Sequence, residues 1–238
     1  AMLRLRLLTW DVKDTLLRLR QPLGLRYAAE ARAHGLRVQP ARLGQAFREV
    51  YAAQSRRLPN YGQGRGLSSR QWWADVVKET FRQCGVRDER VLALMAEGLY
   101  RDFCGGRCWE ALPGAADTLR RCGQRGLRMG VVSNFDRRLE GVLQHCGLRH
   151  HFDFVLTSEG AGVAKPDRRI FEKALGLGGV PPELVAHIGD DYSKDYVAAR
   201  AVGIHAFLLR PAGQDREPEV PPEHVLPTLG HLLALIEK

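Results

Sequence analysis

The stretch Leu3-Arg4-Leu5-Arg6-Leu7-Leu8-Thr9-Trp10-Asp11-Val12-Lys13-Asp14-Thr15 decides how the rest of the chain is read. Leucines at 3, 5 and 7 alternate with Arg4 and Arg6, the period of two that marks a strand with one wet face. From Leu7 to Trp10 the apolar character becomes continuous, so the strand begins exposed and ends buried. It then stops at a carboxylate, Asp11, and a polar turn. The arginine-containing segment from Met2 to Trp10 is short for a targeting peptide and leads straight into that turn, so it is read as a strand.

Beyond the turn the pattern changes to helix after helix as far as about Phe103. Pro22 and Pro40 suit first helical turns, and Ser68 with Gln71 forms a capping box. Trp72, Val76 and Thr80, beside Trp73, Val77 and Phe81, recur at helical spacing and read as packing. Breaks at Gly35, at 59–66 and at Gly85 divide the block into about four helices. After Gly105-Gly106 helix and strand alternate, the signature of a parallel sheet with crossover helices. Strands are expected at 128–133, 152–157, 185–189 and 205–209, and helices at 115–125, 137–146, 167–175 and 194–202. A proline-rich stretch, 211–227, precedes a short amphipathic C-terminal helix. The expected fold class is α/β: a Rossmann-like parallel-sheet core from 1–15 and 106–238, with an all-helical domain inserted over 16–105.

With 238 residues, 45% of them hydrophobic, the chain is long enough to bury a sizeable core. Arginines interrupt every apolar run well short of the ~18 residues of a membrane span, so no membrane association is expected. Cys84, Cys104, Cys108, Cys122 and Cys146 lack framework spacing, which fits reduced thiols in an intracellular compartment, the cytoplasm first among them. Cys104 and Cys108 have neither a second pair nor nearby histidines, so no zinc site is expected. The formal charge of +9 favours acidic ligands. Its arginines are nonetheless scattered: pairs such as Arg56-Arg57, Arg120-Arg121, Arg137-Arg138 and Arg168-Arg169 fall at helix edges without interleaved aromatics. They read as solvated faces rather than a nucleic-acid platform. No oligomeric state follows from the sequence.

In an open parallel sheet, ligands bind at the carboxyl ends of the strands. The polar residues there are Asp11, Ser133-Asn134, the Lys165-Pro166 step, and Gly189-Asp190-Asp191-Tyr192-Ser193-Lys194-Asp195. Each is ordinary alone; together, in order and each at or just beyond a strand end, they resemble the four motifs of the haloacid dehalogenase superfamily. The similarity spans the chain, including a helical cap between the first and second motifs. The resemblance implies that Asp11 is a nucleophile, that Ser133 holds the transferring group, that Lys165 neutralises it, and that Asp190 and Asp195 position Mg²⁺. The chemistry is coherent: a carboxylate attacking a phosphoryl group needs a cation and a fixed ammonium against charge repulsion. Asp11 and Asp190 can hold that cation, and Ser133, Asn134 and Lys165 can orient phosphoryl oxygens. The product of attack is an aspartyl-phosphate that water then cleaves.

One position departs from the pattern. Phosphatases of this kind carry a second aspartate, an acid–base group, two residues after the nucleophile; here it is Lys13. Its backbone carbonyl can still ligate the metal, and its side chain is a candidate acid or base. The expected activity is therefore a Mg²⁺-dependent phosphatase for a small phosphorylated molecule. The alternatives are a weak or inactive phosphate-binding homologue and a 2-haloacid dehalogenase. In the cap, Asn60, Tyr61 and Arg65 of the 59–66 loop are the candidates for substrate choice.

Overall fold

A computed structural model describes residues 3–211, 213 and 219–236. Met2 and part of the proline-rich stretch lie outside the described residues. The strands are β1 (Leu7–Trp10), β2 (Leu17–Leu19), β3 (Trp109–Ala111), β4 (Arg128–Ser133), β5 (Phe154–Thr157), β6 (Val185–Gly189), β7 (His205–Leu209) and β8 (Val225–Leu226). Among the described residues, six of them form one sheet in the order β5-β4-β1-β6-β7-β8, and β2 pairs with β3 in a two-stranded ribbon. Every pairing in the larger sheet is parallel. The protein is thus α/β, as its alternating pattern requires.

The chain divides into two compact units. One comprises Ala1–Arg18, Ala111–Phe135 and Cys146–Lys238; the other comprises Leu19–Glu110 and Asp136–His145.

The first unit is built on β1, which lies between β4 and β6: Trp10 is in register with Val131 on one side and Ile188 on the other. All four β1 residues are buried, whereas Arg4 and Arg6 ahead of it are exposed. Leu7 packs with Ile170, Phe171, Val185 and Leu208 in the core; truncating such a leucine to alanine typically costs about 2–5 kcal/mol. After β1 the chain runs out to β4 and β5, then returns to β6 on the opposite side of β1. Strand order therefore reverses about β1, and this reversal opens a crevice at the strands' carboxyl ends.

Three local differences from the sequence expectation have simple causes. The helix expected at 194–202 begins earlier, as a π-helical segment Tyr192–Val197 followed by Ala198–Arg200, because the Asp191 carboxylate accepts from the Lys194 backbone N–H and starts it. β5 begins at Phe154, two residues later than the expected start at 152. The short strand β8, in the proline-rich stretch, was not anticipated because two residues carry no periodicity.

The second unit contains helices Leu23–Ala33, Pro40–Arg57, Ser69–Gln83 and Glu89–Asp102. The Ser68–Gln71 capping box is formed in both directions. Asp88 caps the next helix, accepting from the N–H groups of Arg90 and Val91. Tyr27, Leu43, Phe81, Leu92, Met95 and Leu99 fill the interior. The segment expected as an open loop begins with a short helical turn, Pro59–Gly62, in which Asn60 (φ 46°) and Tyr61 (φ 61°) are left-handed. Side-chain contacts hold this turn: Asn60 donates to Gln63 at 2.7 Å, and the Tyr61 ring meets Trp72 edge-on at 5.4 Å.

Arg138 is not one of the solvated helix-edge arginines expected from the sequence. Its guanidinium is buried, paired with the buried Asp136 carboxylate at 2.6 Å and stacked 4.3 Å from the Tyr100 ring centroid. The Trp73 indole also donates to Asp136, at 2.6 Å. A planar cation on an aromatic face with a carboxylate partner is the arrangement in which arginine tolerates burial.

Candidate active site

All the motif residues of the core lie in the first unit. Asp11 follows β1, and its backbone N–H donates to Ile188 O of β6 at 2.9 Å, so the main chain stays in the sheet up to the carboxylate. The chain then winds round one acceptor: Val12 O receives the N–H groups of Thr15, Leu16 and Leu17. Asp14 sits at φ 64°, a conformation aspartate tolerates better than most residues.

Ser133, the last residue of β4, donates from Oγ to Asp11 Oδ1 at 3.0 Å. Lys165 approaches the same oxygen, with Nζ at 2.7 Å. The remaining ammonium hydrogens go to Asp195 Oδ1 at 2.6 Å and Val132 O at 2.9 Å. Asn134 turns its amide to the backbone of Lys165. Its Nδ2 donates to Lys165 O and its Oδ1 accepts from Lys165 N, both at 2.8 Å, so it fixes the lysine's backbone.

Oxygens of Asp11, Asp190 and Asp195 all lie within 4.8 Å of one another. Gly189 makes this possible: a Cβ there would stand 2.2 Å from Asp195 Cγ. Asp190 accepts from Thr15 Oγ1 at 3.2 Å. Burial and the nearby Asp11, Asp195 and Asp14 charges push its carboxyl up to about 7. Burial also raises Asp11, with Asp195 adding to it and Lys165 opposing. For Asp195 burial is outweighed by Lys165 and His187, which hold its carboxyl well below the usual range. Lys165 stays charged: its burial is overcome by Asp11 and Asp195. Three carboxylates around one ammonium leave an excess of negative charge, and the donor set is all oxygen. Those are the properties of a site for a hard divalent cation.

Lys13 lies on the same turn but points differently. Its side chain is exposed and ion-paired with Asp14. Asn60, Tyr61 and Arg65 belong to the other unit.

Sequence reasoning missed Thr9, Thr15 and His187, all fully or almost fully buried polar residues. The available signal was a polar side chain inside an apolar run, which must find a partner. Thr9 and His187 interrupt β1 and β6 in that way.

The fold is one already seen in solved structures. The 2-haloacid dehalogenase from Pseudomonas syringae superposes with a TM-score of 0.68 at 23% identity, covering 97% of this chain and 98% of that one. HAD-hydrolase YfnB from Bacillus subtilis, bound to magnesium, gives 0.73 at 20% identity over 99% and 100%. A HAD phosphatase from Thermococcus onnurineus gives 0.67 at 22% over 97% of each chain. These likenesses establish the fold. At the level of sequence, the profile described as "Hydrolase: haloacid dehalogenase-like hydrolase" matches residues 5–203. Haloacid dehalogenase-like hydrolase domain-containing protein 3 of Bos taurus is 58% identical over 99% of this chain and 95% of its own length. The chain belongs to the haloacid dehalogenase-like hydrolases.

Proposed function

We propose that this hydrolase is a Mg²⁺-dependent phosphatase for a small phosphorylated molecule, working through an aspartyl-phosphate on Asp11. The observation that carries this is the sharing of one crevice by three carboxylates and a buried ammonium, with Lys165 Nζ 2.7 Å from the Asp11 carboxylate. Asp11, Asp190 and Asp195, with the Lys13 carbonyl, are the proposed holders of the ion. Mg²⁺, common in this superfamily and present in the YfnB structure, would supply charge neutralisation for the phosphoryl oxygens.

An Asp11 oxygen attacks phosphorus and forms an O–P bond while the bond to the leaving oxygen breaks. Ser133 Oγ–H and Lys165 Nζ–H, which meet Asp11 Oδ1 in the free site, turn to the incoming phosphoryl oxygens. The leaving oxygen takes a proton, for which the Lys13 ammonium is the nearest candidate by sequence. Water then attacks phosphorus, the acyl-phosphate O–P bond breaks, and the Asp11 carboxylate and inorganic phosphate are released. For this second step Lys13 must act as a neutral amine. Asn60, Tyr61 and Arg65 are proposed to set substrate choice. The five free cysteines agree with a reducing, intracellular setting.

The Lys13–Asp14 ion pair favours a second reading, a phosphate-binding homologue with little turnover. The test is hydrolysis of p-nitrophenyl phosphate with and without Mg²⁺. Phosphate release that requires Mg²⁺ and disappears in Asp11→Asn supports the phosphatase. Binding of phosphate with Mg²⁺ but no release supports the second reading. Chloride release from 2-chloropropionate without metal would make the protein a dehalogenase, like the P. syringae enzyme.

A further inference from the structure

We propose that His187 is a positioning residue of this site: an imidazole, seated against Thr9, that holds Asp195 so that Asp195 in turn holds Lys165 against Asp11. The proposal rests on the roles given above to Asp11 and Lys165.

His187 lies inside β6, fully buried among Val185, Ala186 and Ile188. A buried imidazole needs partners for both nitrogens. Nε2 lies 3.1 Å from Asp195 Oδ1. An ionised carboxylate only accepts, so Nε2 carries the hydrogen. Nδ1 faces Thr9 Oγ1 at 2.9 Å. Thr9 is the residue in register with His187 on the neighbouring strand, which is why the two side chains meet. Ala186 O lies 3.5 Å from the same hydroxyl, at the limit of a hydrogen bond. The Asp195 carboxylate keeps the hydrogen on Nε2, as the partners of metal-site histidines do. Phe171 stands edge-on to the ring, 4.9 Å between centroids at 80°, and limits its rotation.

The effect is on Asp195. Its Oδ1 accepts from both His187 and Lys165, and its Oδ2 accepts from the Asp191 N–H at 3.0 Å. With both oxygens engaged the carboxylate cannot rotate, and Lys165 Nζ stays aimed at Asp11. Thr9, two residues before the nucleophile, therefore starts a chain of hydrogen bonds that returns to it.

The test compares wild type, His187→Leu, His187→Gln and Thr9→Val. The readouts are kcat and KM on p-nitrophenyl phosphate with Mg²⁺, the Kd for Mg²⁺ with beryllium trifluoride, and ¹⁵N NMR of the imidazole. His187→Leu is expected to lower kcat ~10–10²-fold, the scale of a misplaced catalytic group, and to weaken Mg²⁺ binding ~10–10²-fold through Asp195, with KM altered less than about threefold. His187→Gln, whose amide replaces the Nε2–H donor, is expected to recover most of that loss. Thr9→Val removes the contact to Nδ1 and is expected to lower kcat less than His187→Leu does, while the hydrogen stays on Nε2 as in wild type because Asp195 accepts it. Full activity in His187→Leu, a glutamine variant no better than leucine, or an Nε2 without hydrogen in wild type would each overturn the proposal. If wild type hydrolyses nothing, the phosphatase reading fails on its own. The tautomer in wild type still decides the placement of His187.

Discussion

The side-chain amide of Asn134 and the backbone of Lys165 hold each other through two reciprocal hydrogen bonds, both at 2.8 Å, across 31 positions of sequence. The residue after β4 thereby sets where the lysine enters the crevice. Asn134→Ala removes both bonds and leaves Lys165 N and O without that partner. It should cost about 1–3 kcal/mol in urea denaturation. Turnover of an aryl phosphate should fall by about tenfold or more. A variant with unchanged kcat would show that Lys165 is placed by the rest of its loop.

Lys13 decides between the two functional readings. If the scaffold lacks only its acid–base group, Lys13→Asp should raise Mg²⁺-dependent hydrolysis of p-nitrophenyl phosphate by up to ~10²–10⁴-fold. If lysine is the working acid or base, the same change should lower activity on the physiological substrate, and Lys13→Met should lower it further.

The Asp190 carboxyl, raised to about 7 from an ordinary 3.8 by burial and its acidic neighbours, links stability and metal affinity to pH. A raised folded-state value means that the unfolded chain releases this proton first. The contribution to stability is therefore complete below about 4 and lost as pH rises through about 7. Without metal, stability from this group should decline over that window. Mg²⁺ competes with the same proton, so the rise in Tm that it produces should be small at pH 6 and large at pH 8. Differential scanning fluorimetry across pH measures both, and Asp190→Ala should flatten them.

Gly189→Ala should be far more disruptive than its size implies, because the added carbon would lie 2.2 Å from Asp195 Cγ and 2.3 Å from its Oδ2. Overpacking of this kind typically costs about 1–3 kcal/mol, and here it displaces a carboxylate of the site. Gly176→Ala, on the helix Arg169–Gly178 with nothing within 4 Å of the new carbon, is the contrast. It should stabilise by about 0.4–1 kcal/mol. Equal effects at the two glycines would remove the steric account of Gly189.

What was legible in the sequence was periodic or punctuated. The leucine alternation located β1, and apolar runs bounded by polar turns located β4, β6 and β7 closely. The order of the polar strand ends brought Asp11, Ser133, Lys165, Asp190 and Asp195 into one list, and the fold gathers them in one unit. Illegible were contacts that depend on register between distant strands. Thr9 and His187 are 178 positions apart and adjacent only because β1 and β6 pair in parallel. Arg138 was misjudged because a charge has no sequence mark for the aromatic face and the carboxylate that bury it. The hold of the Asn134 amide on the backbone of Lys165 has no mark in the sequence either, because the two residues stand 31 positions apart.

The Lys165 ammonium begins with its valences full: Asp11, Asp195 and Val132 O take its three hydrogens. No anion can add to it; an anion can only exchange with one of those acceptors. In the proposed phosphatase the acceptor that gives way is Asp11 Oδ1, which leaves the ammonium for phosphorus as a phosphoryl oxygen takes its place, while Asp195 and Val132 O keep Lys165 where it stands.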